Sequence, residues 1–262
     1  MATEETIKEA EKPKSAGRGK RSFDTKRSFE KVFDPAAWNP KTALGKRVKN
    51  GEITDIEQIA ELGAKVREVE IINTLLPNIE TELLLVGQAK GKFGGGQRRI
   101  FRQTQKKTKE GNKPRFATMV VCGNRDGYIG LDMGKSKETV PAREKAYRNS
   151  KLNIIKIRRG CGSWQCGCKM PHTIPFKVMG KCGSVEIELM PAPKGTGLVI
   201  ENECKKMLAL AGIKDVWSKS KGNTTTKINM VKACFEALKK LSTTKIRPDS
   251  FEKLGIVEGR VK

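Results

Sequence analysis

Apolar residues along the chain change period several times, and each change predicts an element. From Thr54 to Leu76 they recur at three- and four-residue steps. Ile56, Ile59, Ala60 and Leu62 share one face, and Val66, Val69, Ile72 and Leu76 continue it, which predicts a helix ended by Pro77. Leu83 to Val86 is a short apolar run of strand type. Ile100 to Gln103 and Phe116 to Cys122 also read as strands, and Tyr128 to Leu131 follows the tight-turn pair Asp126-Gly127. Pro141 suits the first turn of a helix running to about Leu152. Asn153 to Arg159 leads out of this region. Phe176 to Met179 and Val185 to Leu189 predict a hairpin around Gly180 to Gly183. A loop, Pro191 to Gly197, precedes a helix from Cys204 to Ala211 that Gly212 ends. Ile213 to Trp217 reads as a strand. The last helix carries Ile228, Val231, Phe235, Leu238 and Leu241 on one face. No internal repeat is visible.

These periods divide the chain into four parts: a basic extension over 1–45, an ordered region over 46–160, a Cys/His linker over 161–173 and a second ordered region over 174–262. Lys, Arg, Ser, Glu and Gly dominate the extension, and Phe23, Phe29, Phe33 and Trp38 are isolated within it. Such a segment cannot offset its ordering entropy by burial, so it is expected to order only on RNA or a neighbouring protein.

Charge narrows the class of partner. The chain of 262 residues carries 53 Lys and Arg against 29 Asp and Glu, a formal charge of +24. An excess of this size and spread calls for a polyanion, because each cation set on a phosphate releases condensed counterions. A membrane is the other polyanion, but no apolar run approaches the ~20 residues of a spanning helix. The acidic-then-basic N-terminus has no apolar signal core. A soluble, cytoplasmic protein is expected.

Three stretches carry a resemblance. They are Gly123-Asn-Arg-Asp-Gly-Tyr-Ile-Gly130 with Gly134-Lys-Ser136, Pro191-Ala-Pro-Lys-Gly-Thr-Gly-Leu198, and Leu210-Ala-Gly-Ile-Lys-Asp-Val216 with the closing helix after Asn223. In this order the chain resembles the universal small-subunit ribosomal protein number five family over roughly 45–245. Arg158-Arg159-Gly160 and Pro171-His172-Thr173-Ile174-Pro175 are similar to its archaeal and eukaryotic branch. The resemblance implies an α+β fold. Its first domain would be a double-stranded-RNA-binding-like α-β-β-β-α unit, and its second a β-α-β-β-α unit with a left-handed crossover. It implies binding to small-subunit ribosomal RNA and to small-subunit proteins four and eight. It also implies a place near the channel entrance for messenger RNA, and a contribution to decoding accuracy.

Candidate RNA-binding residues follow from the basic turns. The hairpin turn that matches the family's messenger-facing hairpin is Gln105 to Arg115, with Lys106, Lys107, Lys109, Lys113 and Arg115. Gly87 to Ile100 looks like an insertion in the family pattern. Its glycines permit close approach of backbone to phosphates, and Lys92, Arg98 and Arg99 supply charge. Arg158 and Arg159 complete the candidate set. A non-ribosomal RNA-binding regulator is the alternative, and it would sediment away from small subunits. A protein-docking module would lack steep salt dependence.

Catalysis finds little support. Gly134-Lys135-Ser136 resembles the end of a phosphate-binding P-loop, but that motif needs a glycine where this chain has Ile129. His172 is the only histidine, and no carboxylates form an evident acid/base pair. No enzyme is expected.

Seven cysteines, an odd number without a signal peptide, argue against a secreted disulfide framework. Cys161, Cys166, Cys168 and His172 lie within a run of twelve residues. Three thiols and an imidazole are the donor set of a structural zinc site, closed to substrate. The spacing is not that of a standard finger, and Cys182 is an alternative ligand. Ordinary thiols in an inter-domain turn are the competing reading. Cys122, Cys204 and Cys234 fall in strand or helix patterns and read as core.

Overall fold

A computed structural model describes residues 35, 37–91 and 96–260. Phe23, Phe29, Phe33 and Lys92 therefore lie outside the described residues, as does most of the basic extension.

The chain opens with three short helices, α1 (Ala43–Lys49), α2 (Ile56–Glu61) and α3 (Val69–Leu75). Thr42 caps α1 by accepting the Gly45 N–H at 3.0 Å. The continuous helix expected over 54–76 is in fact two. Gly63 sits at φ +62°, a left-handed conformation that ends α2 after one and a half turns. Trp38, expected to stand alone, is 9% exposed and packs with Val48, Ile53, Ile59 and Ile71 in a small satellite core.

Next come β1 (Glu80–Leu83), β2 (Arg102–Thr108), β3 (Gly111–Gly123), β4 (Tyr128–Ser136), α4 (Thr139–Leu152) and β5 (Ile154–Lys156). All sheet pairings are antiparallel, in the order β1-β3-β4-β5, with β2 paired to the first half of β3. β3 is thus a long strand with two roles. Its outer half, Gly111–Arg115, is exposed, whereas Thr118 to Gly123 is buried against α4 and neighbouring strands.

After β6 (Arg158–Arg159) and the Cys/His stretch, a second sheet forms from β7 (Val178–Cys182), β8 (Val185–Pro191), β9 (Leu198–Val199) and β10 (Val216–Lys221). Its order is β7-β8-β10-β9, and α5 (Asn202–Leu210) connects the parallel pair β9 and β10. α6 (Lys227–Thr243) covers the sheet with Val231, Cys234, Leu238 and Leu241 fully buried. The order of these elements differs from β-α-β-β-α. A tight hairpin around Gly183, at φ +62°, places two strands ahead of the helix, as the local apolar pattern indicates. A glycine under each covering helix lets it lie close. A Cβ on Gly134 would sit 2.1 Å from the Ala142 carbonyl oxygen of α4, and one on Gly180 would sit 1.9 Å from that of Ala233 on α6.

The chain ends with α7 (Pro248–Leu254) and β11 (Val257–Glu258), which pairs with β6. One apolar core runs through both sheets, from Leu84, Met119 and Ile129 to Ile187, Leu208 and Leu238. The turn after β3 seals the junction, because Arg125 N–H donates to the Leu210 carbonyl at 2.8 Å and Gly127 N–H to that of Ala211 at 3.2 Å.

Candidate metal centre and nucleic-acid interface

The four residues singled out by their chemistry converge. One ligand atom from each of Cys161, Cys166, Cys168 and His172 lies within 4.8 Å of the other three. The chain reaches this geometry because the segment is pinned at both ends. Gly160 and Thr173 exchange backbone hydrogen bonds at 2.9 and 3.0 Å, which closes the intervening residues into a loop. Cys161 N–H donates to the Leu254 carbonyl at 2.8 Å, so α7 braces the same loop. Gly162 lies so close to Pro175 that a Cβ there would come 2.1 Å from its carbonyl oxygen.

His172 is oriented by a residue that sequence reasoning missed. Its Nδ1 lies 2.8 Å from Asp215 Oδ2, and both side chains are buried, at 6% exposure each. A carboxylate there fixes the N–H on Nδ1 and turns Nε2 towards the thiols, 3.8 Å from Cys166 Sγ. The other carboxylate oxygen of Asp215 accepts the N–H groups of Gly195 at 3.1 Å and Gly197 at 2.8 Å. Nothing in the local sequence marks Asp215, which is 43 residues from His172.

The thiols differ in their electrostatics. The backbone N–H groups of Lys194 and Cys168 draw the pKa of Cys166 down to about 6. Burial lifts that of Cys161 to about 11. One sulfur is therefore ready as an anion, and a divalent cation would be needed to ionise the buried one. Zinc bound tetrahedrally at ~2.3 Å from sulfur sets ligand atoms roughly 3.5–4 Å apart, so the donor set and spacing fit such an ion. Cys182, at the end of β7, is not in the group. Cys122, Cys204 and Cys234 are fully buried in the core.

The basic candidates separate into two kinds. Lys106, Lys107, Lys109, Lys113 and Arg115 are all exposed on the β2–β3 hairpin. Among them only Lys113 has an acidic partner among the described residues, Glu110 in the turn. Arg99 is exposed as well. Arg98 is half-buried and donates to the carbonyls of Thr225 at 3.0 Å and Gly87 at 3.4 Å, which ties the 87–99 segment to the start of α6.

Arg158 and Arg159 turn inward, contrary to the expectation that they face RNA. Arg158 lies 2.5 Å from Glu258 and also donates to the carbonyls of Leu241 and Thr244. Arg159 is 4% exposed and bonds Asp126 at 2.6 Å and the Gly259 carbonyl at 2.9 Å. β11 lies beside them: its Glu258 pairs with Arg158, and the carbonyl of Gly259, just after the strand, accepts from Arg159. Nothing in the spacing of the arginines signals a partner about 100 residues away.

Gly134-Lys135-Ser136 ends β4, and no glycine-rich turn precedes it. Among the described residues no helix is long and apolar enough to cross a membrane.

Comparison with known proteins gives a consistent result. Residues 100–158 match the family model described as Ribosomal protein S5, N-terminal domain, and residues 180–249 match Ribosomal protein S5, C-terminal domain. Small ribosomal subunit protein uS5 of Nanoarchaeum equitans is 49% identical over 224 residues, covering 86% of this chain and 96% of the relative. The protein of the same name from Methanocaldococcus jannaschii is 48% identical over 229 residues, covering 87% and 99%. That from Methanococcus maripaludis is 45% identical over 236 residues, covering 90% and 98%.

Proposed function

Because the chain belongs to the ribosomal protein S5 family, we propose that it is a structural, non-enzymatic constituent of the small ribosomal subunit in the cytoplasm, and that it binds small-subunit ribosomal RNA. The observation that carries the RNA reading is the β2–β3 hairpin. Its outer half buries nothing and displays Lys106, Lys107, Lys109, Lys113 and Arg115 to solvent. A ribbon without a core of its own is marginal in water, so a binding partner accounts for its length. Its charge selects a phosphate backbone, read by position rather than by base. Lys92 and Arg99 belong to the same candidate set by sequence.

Family resemblance further supports contacts with small-subunit proteins four and eight. It supports a place for the hairpin near the messenger RNA entrance, with an effect on decoding accuracy. The two-domain division at 46–160 and 174–262 belongs to the same reading. The Cys161, Cys166, Cys168 and His172 set holds a structural zinc ion, which substitutes for the core that so short a loop cannot build.

The test is ribosomal RNA binding across a salt series for the parent and for a variant with Lys106, Lys107, Lys109 and Arg115 changed to Gln. For every cation–phosphate pair removed, the log–log salt slope should fall by about one. An unchanged slope and affinity would remove the hairpin from the interface.

A further inference from the structure

The loop that carries the metal ligands also carries an indole with no place in the core. Trp164 lies between Cys161 and Cys166 and is 88% exposed. Tryptophan is highly buried on average, because its area is costly to leave in water. Here the backbone beneath it is fixed on both sides. Cys161 Sγ donates to the Cys166 carbonyl at 2.9 Å, Cys166 N–H donates to that of Ser163 at 3.2 Å, and Ser163 is itself buried. The ring is therefore held out by an ordered turn rather than carried on a slack one.

Three lysines are attached to the same knot. Lys169, Lys194 and Lys214 are exposed, and none is ion-paired among the described residues. All three are tied to the knot. Lys169 lies between Cys168 and Met170, the Lys194 N–H reaches Cys166 with its Nζ 4.0 Å from Met170 Sδ, and the Lys214 N–H donates to the His172 carbonyl at 2.8 Å. Met170 is half-exposed, and neither the ligand loop 161–172 nor the 191–197 loop contains an acidic residue.

We infer that Trp164 is a stacking platform for an unpaired base, with Lys169, Lys194 and Lys214 placed for the flanking phosphates. The ligand is a single-stranded RNA segment. An exposed aromatic together with unpaired cations is the recurrent solution for such strands, because every base offers a π-face and the backbone supplies the charge. A protein partner of ordinary surface composition would leave three cations to be desolvated without compensation. The inference rests on the RNA-binding reading, but it places the contact far along the chain from the hairpin.

The experiment uses the full chain and oligouridylate as the probe. Zinc per chain is measured alongside for every variant. Trp164→Ala should weaken binding roughly five- to a hundredfold, the range expected when one base stack of ~1–3 kcal/mol is removed. Trp164→Phe should keep most of the affinity while abolishing the tryptophan quenching that oligouridylate causes in the parent. Equal affinity of parent and Trp164→Ala at equal zinc content would overturn the proposal. So would a Trp164→Ala chain that binds oligouridylate normally but fails to join the subunit, which would make the indole a protein contact. If the parent holds no zinc yet Trp164 is still quenched, the platform stands and the metal reading fails. Neutralising the hairpin should leave the Trp164 quench in place, which separates this contact from the first.

Discussion

Asp215 organises the Cys/His cluster, although no thiol bonds to it among the described residues. It fixes His172 through Nδ1 and holds the Gly195 and Gly197 amides with its other oxygen. Asp215→Asn would keep the shape but lose the charge that favours a ligating imidazole. Zinc affinity should fall about 10- to 100-fold, measured by competition with a chromogenic chelator. Unchanged affinity would mean that His172 is not a ligand. The two thiols flanking Trp164 offer a second test. With zinc removed, Cys166 should be largely thiolate at pH 7, since its pKa is drawn down to about 6, while Cys161, raised to about 11, stays protonated. Iodoacetamide should label Cys166 well before Cys161, more slowly at pH 5 than at pH 7, and added zinc should protect both. Peptide mapping that found Cys161 labelled first would refute the assignment. The Cys/His cluster was legible because thiols and imidazoles are rare and these four lie close in sequence. Asp215 was not, because its role arises only when the residue before β10 folds back over the loop.

At the scale of elements, legibility followed the length of the apolar pattern. α6 and the inner half of β3 bury full faces, and their apolar patterns announce them, while Pro141 signals α4 and Gly212 marks the end of α5. α7 has no buried residue, and β11 spans only Val257–Glu258, so no apolar period marks either. Yet these two elements satisfy Arg158 and brace Cys161, and for that reason the arginines were expected on the RNA side. The helix–sheet contacts depend on what is absent from the strand. A methyl on Gly180 would strike the Ala233 carbonyl at 1.9 Å and the Ala237 nitrogen at 2.6 Å, both backbone of α6. Gly180→Ala should therefore destabilise the protein by about 1–3 kcal/mol in chemical denaturation. Gly91→Ala, which meets nothing within 4 Å among the described residues, should change stability by only a few tenths of a kcal/mol. Equal behaviour of the two variants would show that α6 can shift on its sheet at no cost.

Across the whole molecule, the two family-model segments do not own separate interiors. Buried side chains of one sheet, such as Met119 and Ile129, belong to the same apolar cluster as Ile187 and Leu208 beside the other. Polar contacts cross the same boundary, since the Arg125 N–H donates to the Leu210 carbonyl at 2.8 Å. The Cys/His loop lies at this boundary too, with Asp215 from the second segment holding His172 and Leu254 from the C-terminal helix holding Cys161. Breaking either segment would expose apolar surface and unpaired groups on the other, so unfolding should be cooperative. Calorimetry of the zinc-loaded chain should give a single transition. Chelation should move that transition to lower temperature, because metal bound only by the folded state stabilises it by mass action. Two resolved transitions in the zinc-loaded protein would mean that the shared core does not couple the segments. A transition that splits only after chelation would assign the coupling to the metal rather than to the core.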